Sequence, residues 1–167
     1  MKTPNIFQAQ GLNALNENAN RVVNYLCDQA RNHPVEHYED YAKIDNADGV
    51  FMPVVVEILS RHFHDQLGRF EYVSIAHYGE QNGDLMADPE MTFCLWTPEG
   101  ESEGYAFPMT YKNDFAYNYE DQGLEIDGET LMPKRYSKEK IAGYIDFCDM
   151  WMNNIREQQE LPLTKAA

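Results

Sequence analysis

The stretch RFEYVSIAHYGEQNGDLMADPEMTFCLWT, residues 69–97, decides the fold of this chain. Its two ends, RFEYVSIAHY and MTFCLWT, are rich in β-branched and aromatic residues, which is typical of β-strands. The middle part, GEQNGDLMADPE, contains the turn signals Asn82-Gly83 and Asp88-Pro89. Two strands separated by a turn cluster predict an antiparallel pair.

Two segments further along the chain have the same composition. They are GYAFPMTY and DFAYNYE, and the turn clusters PEGESEG and KND separate them from their neighbours. We therefore predict an antiparallel meander of about four strands. Pro108 inside the third strand predicts an edge position or a bulge, because proline cannot donate a ladder hydrogen bond.

Helices are predicted on both sides of the strands. Apolar residues at helical spacing predict a helix over 11–32, which should end before Pro34. The segment PVVVEILSRHFHDQL, residues 53–67, predicts a second helix that Gly68 would end. Ser137 is a suitable N-cap for a long C-terminal helix.

The predicted fold class is α+β. An antiparallel sheet of about four strands would carry two N-terminal helices and one long C-terminal helix packed against it. A length of 167 residues fits a single domain, residues 1–167.

The formal net charge of -15 is concentrated in one part of the chain. Between Glu80 and Glu129 there are thirteen acidic residues and one basic residue, Lys112, whereas the rest of the chain has fifteen acids and twelve bases. This distribution argues against binding to nucleic acid or anionic membranes, and it predicts attraction of basic partners. The thirteen are Glu80, Asp84, Asp88, Glu90, Glu99, Glu101, Glu103, Asp114, Glu120, Asp121, Glu125, Asp127 and Glu129.

The compartment is predicted from the cysteines and from the apolar runs. Cys27, Cys94 and Cys148 are an odd number and lie far apart, and no run reaches the ~18 apolar residues of a membrane span. We expect a protein of the host-cell cytoplasm with reduced thiols that serve as small core residues. No base is identifiable beside any cysteine, so a catalytic thiol is not expected, and no cofactor is expected either.

Two interpretations of the acidic window remain open. The acids could form a solvated, turn-rich face, or they could imitate the phosphates of a duplex and occupy a basic DNA-binding surface. The second interpretation requires the acids to lie together on one outward rim. Its partner-binding acids would be Asp84, Asp88, Glu90, Glu99, Glu101, Glu103, Glu120 and Asp121, with Tyr78, Tyr105, Tyr117 and Tyr119 as apolar anchors.

Catalysis is a third interpretation. A metal-dependent hydrolase could use His77, Glu80, Asp84 and Asp88 around the predicted turn. The spacing matches neither a zinc site nor an EF-hand, and no phosphate-binding glycine loop is present. We therefore expect neither a catalytic residue nor a metal ligand, although a calcium or magnesium ion among the turn carboxylates remains an alternative. A further alternative for the function is a non-catalytic accessory module of a plasmid or phage.

The segments SIAHY, EQNGDL and DPEM, within residues 74–91, resemble a recurring segment of small proteins encoded by phages, plasmids and conjugative elements. The resemblance covers roughly residues 43–130, and it implies an aromatic residue where this chain has Gly79. It also implies that the chain is encoded by a mobile genetic element. Small acidic proteins from such elements resemble anti-CRISPR and anti-restriction proteins. The implied partner is therefore the basic surface of a host nuclease or CRISPR effector complex, without direct contact to nucleic acid or membrane.

Overall fold

The computed structural model describes residues 6–32, 39–116 and 119–164, with Ile6 described by its backbone alone. These residues contain eight strands and three helices. The helices are α1 (Ile6–Ala9), α2 (Glu17–Asn32) and α3 (Lys138–Gln158). The strands are β1 (Tyr41–Ile44), β2 (Val54–His64), β3 (Gly68–Gln81), β4 (Asp84–Thr97), β5 (Tyr105–Lys112), β6 (Asp121–Gln122), β7 (Leu124–Ile126) and β8 (Pro133–Tyr136).

The first six strands form one antiparallel sheet in chain order, and β7 and β8 form a separate hairpin. The α+β class is confirmed, but the prediction of about four strands is too low for this sheet. Its centre is the pair β3 and β4, which runs from the partners Arg69 and Thr97 to the partners Gln81 and Asp84. Pro108 lies at a register shift between β4 and β5, as its chemistry predicts.

The prediction of a helix over 53–67 is wrong, because this segment is β2. Val54, Val56 and Ile58 are buried, whereas Glu57 and Leu59 between and beyond them are exposed. A run this rich in valine and isoleucine satisfies a period of two as well as a helical period, and pairing with β3 selects the strand.

Two predictions about the strands downstream are also wrong. The segment GEQNGDLMADPE is not one long turn: β3 continues to Gln81 and β4 begins at Asp84. Asn82 and Gly83 alone form the turn, with φ of 52° and 83°, as a two-residue hairpin requires. The described residues of DFAYNYE are turn or irregular rather than strand, and Tyr117 and Asn118 lie outside the described part.

The helical predictions hold in part. The helix predicted over 11–32 begins only at Glu17, and the chain before it forms the short α1 and an irregular segment. The predicted end at Pro34 lies outside the described residues. The C-terminal helix is confirmed, and the Ser137 hydroxyl accepts a hydrogen bond from the backbone N–H of Lys140. Among the described residues no helix is both long and apolar enough to cross a membrane.

Helices α2 and α3 cover one face of the sheet, which we call the helix side. Contacts from these helices identify it, since Arg31 of α2 pairs with Glu71 and Trp151 of α3 packs on His77. We call the opposite face, which neither α2 nor α3 covers, the open side. At one end of the open side Phe7 of α1 stacks on Phe107, with ring centroids 4.1 Å apart.

A buried carboxylate joins the two layers. Glu71 is fully buried, and its oxygens lie within 3.0 Å of nitrogens of Arg31, Arg61 and Arg69. Burial opposes ionisation of Glu71, but the hydrogen bonds of Arg31 and Arg61, with the charges of Arg31 and Arg69, outweigh it and lower the pKa of this carboxyl. Helix α2 is thereby fixed to β2 and β3 at one end of the sheet.

Candidate partner-binding surface

The tip of the β3–β4 hairpin is the centre of the surface that we call the hairpin end. The surface also includes the two segments beside the tip, residues 45–53 and residues 113–116. Residues 45–53 lead into β2, and the Pro53 carbonyl lies 3.0 Å from Nδ1 of His77. Residues 113–116 follow β5 and lie against Ala87 of β4.

Hydrogen bonds fix the 113–116 segment to β4. The Asp114 N–H donates to the Ala87 carbonyl over 2.9 Å, and the Ala87 N–H donates to Oδ2 of Asp114 over 2.8 Å. The Asn113 amide donates to Oδ1 of Asp88 over 3.3 Å. Asp88 and Asp114 therefore have structural roles, and Lys112 offsets part of the charge because its Nζ lies 3.6 Å from Oδ1 of Asp114.

Acidic side chains at the hairpin tip face solvent. Glu80 and Asp84 lie on facing strands beside the turn, and both are exposed. Asp45 and Asp48 are exposed in the neighbouring connection. Asp48, Glu80 and Asp84 can contact a partner without giving up a hydrogen bond that the fold needs, whereas Oδ1 of Asp45 accepts one from the Gly49 N–H over 3.1 Å.

Tyr78 and Glu90 lie together on the open side. The Tyr78 hydroxyl donates to Oε2 of Glu90 over 3.2 Å. Burial, together with the charge of Glu90, raises the pKa of Tyr78 to about 12. The two residues therefore pair with each other, and Glu90 is only half-exposed.

His77 has a structural environment. It is buried, its ring meets Trp151 edge to face with centroids 5.7 Å apart, and Nδ1 donates to the Pro53 carbonyl. Burial lowers its pKa, although the carbonyl and Asp88 favour the charged form. The imidazole is therefore neutral at pH 7.

The structure does not bring together the four residues of the hydrolase hypothesis. His77 lies in the core on the helix side, whereas Glu80 and Asp84 are exposed at the hairpin tip. Across residues 6–32, 39–116 and 119–164, no three histidine, cysteine or acidic side chains form a group that could hold a metal ion.

The remaining predicted acids divide between other parts of the surface, so the prediction of one outward rim is wrong. Glu99, Glu101 and Glu103 are exposed in the β4–β5 loop, which we call the far end, and Tyr105 follows them at 39% exposure. Strand β4 separates this loop from the hairpin tip by roughly 40 Å, at about 3.3 Å per residue. Since a 14-residue strand lies between them, acids that are close in sequence end up at opposite ends of the sheet.

Around β6 the predicted residues behave differently from one another. The carboxylate of Asp121 lies 2.6 Å from Nζ of Lys140 and accepts a hydrogen bond from the Tyr144 hydroxyl, and these contacts lower its pKa. Asp121 therefore fixes β6 to α3. Glu120 and Tyr119 are exposed just before it, on the side of the hairpin end. Tyr117 lies outside the described residues.

The acids of the β7–β8 hairpin form a third group. Lys134 and Arg135 lie 3.8 and 4.0 Å from the Glu125 carboxylate. Oδ1 of Asp127 accepts hydrogen bonds from the backbone N–H groups of Glu129 and Thr130, and these lower its pKa. These residues stabilise their own hairpin.

An apolar component of the hairpin end was not predicted. Large apolar side chains are exposed there: Val50, Phe51, Met52, Leu85 and Phe115 are 77%, 43%, 36%, 71% and 51% exposed. The sequence VFM before Pro53 carries this signal, although the helix predicted over 53–67 left these three residues outside any predicted element. Residue 115 gave no signal, because only the hydrogen bonds of its loop bring it to this end.

The fold and this surface together describe a small α+β protein, an antiparallel meander with helices on one face and an acidic, partly apolar hairpin end. The chain belongs to the family described as a domain of unknown function, DUF6908, whose family model matches residues 21–161. A search of curated proteins and a search of solved structures each found no match.

Proposed function

We propose that this chain is a non-catalytic binding protein whose hairpin end occupies a basic, nucleic-acid-binding surface of another protein and inhibits it as a DNA mimic. The observation that carries the proposal is that exposed carboxylates and exposed apolar side chains share the hairpin end. Glu80 and Asp84 stand at its tip, and Phe115 lies beside them.

The electrostatics of this end favour a basic partner. Asp45, Asp48, Glu80 and Asp84 are exposed. Two cations lie nearby: Lys112 is beside Asp114, and Lys43 is exposed two residues before Asp45. With a net charge of -15, the whole chain adds a long-range negative field that accelerates association with a basic surface. A partner that normally binds DNA gains affinity when phosphate-like charges displace its counterions.

Mimicry by all thirteen acids on one rim is contradicted by the structure, so the proposal is restricted to the smaller set of carboxylates at the hairpin end. Asp84, Glu120 and Tyr119 remain candidates at or beside the hairpin end. Asp88, Glu90, Asp121 and Tyr78 are engaged within the fold. Glu99, Glu101, Glu103 and Tyr105 belong to the far end, so they contact the same partner only where its basic surface extends over roughly 40 Å.

The resemblance to proteins of phages, plasmids and conjugative elements supports the choice of partner. A mobile element gains from blocking a host restriction or CRISPR effector complex, and such complexes bind DNA through basic clefts. The proposed place of action is accordingly the host cytoplasm.

Competition with duplex DNA tests the proposal. Purified restriction and CRISPR effector complexes of a host are bound to labelled duplex, and the chain is titrated in at low and high salt. We expect displacement that weakens steeply with salt. The double variant Glu80→Lys with Asp84→Lys should lose at least about tenfold in potency, equivalent to about 1.4 kcal/mol.

The matched control is the far-end variant Glu101→Lys with Glu103→Lys, which changes the net charge by the same amount. It should keep most of the potency, because its loop lies outside the hairpin end. Equal losses in both variants would show that only net charge matters, and a salt-independent displacement would refute charge mimicry.

A further inference from the structure

Beyond charge, the hairpin end carries an apolar patch, defined here as Met52 and Phe115, which lie over Gly79, together with the exposed Val50 and Phe51 that precede Met52. We infer that this patch is the docking site for the apolar stripe of a basic amphipathic helix of the partner. The inference rests on the proposed function, and it names the chemistry of the segment that the hairpin end takes.

Gly79 forms the floor of the patch. A Cβ atom built on Gly79 would lie 3.2 Å from the Phe115 ring and 4.0 Å from Cε of Met52. Both side chains therefore lie over the backbone of β3 where any other residue would project its own side chain. Because glycine has no side chain, no atom of residue 79 beyond its backbone separates the Phe115 ring from Met52.

The exposed apolar side chains are held in place rather than placed on a free loop. The Met52 carbonyl accepts a hydrogen bond from the Gln159 amide over 3.1 Å, and the Val50 N–H donates to the Ala47 carbonyl over 3.0 Å. The Phe115 N–H donates to Oδ1 of Asn113 over 3.0 Å. A pre-arranged apolar surface loses less entropy on binding than one that must be ordered first.

The charges around the patch determine which occupant it fits. Asp45, Asp48 and Asp114 belong to the same two segments as the patch, and Glu80 and Asp84 lie at the adjoining hairpin tip, in a chain with a net charge of -15. A second copy would bring two negative surfaces together, and an anionic membrane would repel the same carboxylates. A helix with leucine-like residues on one side and flanking lysine or arginine matches both the apolar centre and the acidic surround.

Synthetic helical peptides test this inference without knowledge of the partner. Three probes are compared by fluorescence anisotropy: a lysine–leucine amphipathic helix, a lysine–serine peptide with the same charge, and a glutamate–leucine helix. We expect the lysine–leucine helix to bind at least about tenfold more tightly than the other two. We also expect its affinity to fall less with salt than that of the lysine–serine peptide, because apolar burial is not screened.

Substitutions locate the site. Phe115→Ser and Met52→Ser should each weaken binding of the lysine–leucine helix several-fold, whereas Phe63→Ser should not, although Phe63 is 76% exposed. In a titration followed by amide NMR, the Gly79 resonance should shift. The inference fails if both basic peptides bind equally well, if Phe63→Ser weakens binding as much as Phe115→Ser, or if the chain forms a dimer that the patch variants abolish.

Failure of this inference and failure of the proposed function give different results. Loss of the peptide preference with intact competition against DNA would overturn the apolar docking site alone. A lysine–leucine preference that depends on Phe115, without competition against DNA, would support the docking site and overturn the proposal of DNA mimicry.

Discussion

The ring of Phe115 lies 3.2 Å from the point at which a side chain on Gly79 would begin. This ring belongs to the 113–116 segment and covers the backbone of β3 at residue 79. The close approach of Phe115 therefore accounts for a glycine at position 79. Backbone conformation does not require one, since the φ of Gly79 is not in the left-handed region.

Gly79→Ala should displace the Phe115 ring with little change in stability. The neighbour must move by a few tenths of an ångström, but Phe115 is half-exposed and can do so. The overpacking cost of about 1 kcal/mol is offset by the similar gain from replacing glycine in a strand. Loss of the nuclear Overhauser contact between the Phe115 ring and the residue 79 α-proton would show the displacement. Gly128→Ala, where no atom lies within 4 Å, is the control.

Glu71→Gln should cost about 3–5 kcal/mol in the free energy of unfolding, because three arginines would lose their buried counter-charge. Chemical denaturation at neutral pH measures the change. Glu57→Gln on the adjacent strand is the matched control, since Glu57 is exposed, and it should change stability by less than about 0.5 kcal/mol. Similar midpoints for the two variants would contradict the role of the arginine cluster.

Stability should decrease as the pH falls from 7 to about 5, in part because of His77. Burial lowers its folded-state pKa below the ordinary value of 6.5, so the unfolded chain takes up a proton that the folded chain resists. The contribution of neutral His77 is therefore fully present above pH 6.5 and decreases below it.

Denaturation midpoints of the parent and of His77→Gln at the two pH values test this effect. The variant should show a smaller decrease, whereas His62→Gln, at a half-exposed position, should keep the slope of the parent. An unchanged slope in His77→Gln would assign the pH dependence to other groups.

Asn24→Ala should lower the free energy of unfolding by about 2 kcal/mol. The Asn24 amide donates to the Gly104 carbonyl over 2.9 Å, and its oxygen accepts from the Gly104 N–H over 2.8 Å, so the side chain satisfies the buried backbone just before β5. Without it, the Gly104 N–H would lose its partner, at about 1–3 kcal/mol, whereas the carbonyl would keep a hydrogen bond from the Asn20 amide over 2.8 Å. Asn154→Ala on the exposed face of α3 is the control, and a cost as small as the control's would mean that water replaces the amide.

Local chemistry was sufficient for several elements. Ser137 predicted the start of α3, and Asn82-Gly83 predicted a tight turn, since these signals act within a few residues. The strand character of 69–78 and 91–97 was likewise evident from composition. The α+β class follows from these elements together.

The segment 53–67 shows where sequence reasoning failed. Its valines and isoleucine fit two periods, and only pairing with β3 on one side and β1 on the other makes it a strand. The prediction of a single acidic rim was wrong for a similar reason. Asp84 and Glu99 are close in sequence, but the 14-residue strand β4 holds them far apart in space.

By itself, the sequence determined the net charge, the turn and cap positions, and the α+β class, because these depend on composition and on contacts between near neighbours. Tertiary structure alone decided that the acids divide between the two ends of the sheet and the β7–β8 hairpin, and that Phe115 comes to lie on Gly79 beside Met52. Those relationships depend on strand register and on hydrogen bonds between segments far apart in the chain, which no local pattern encodes.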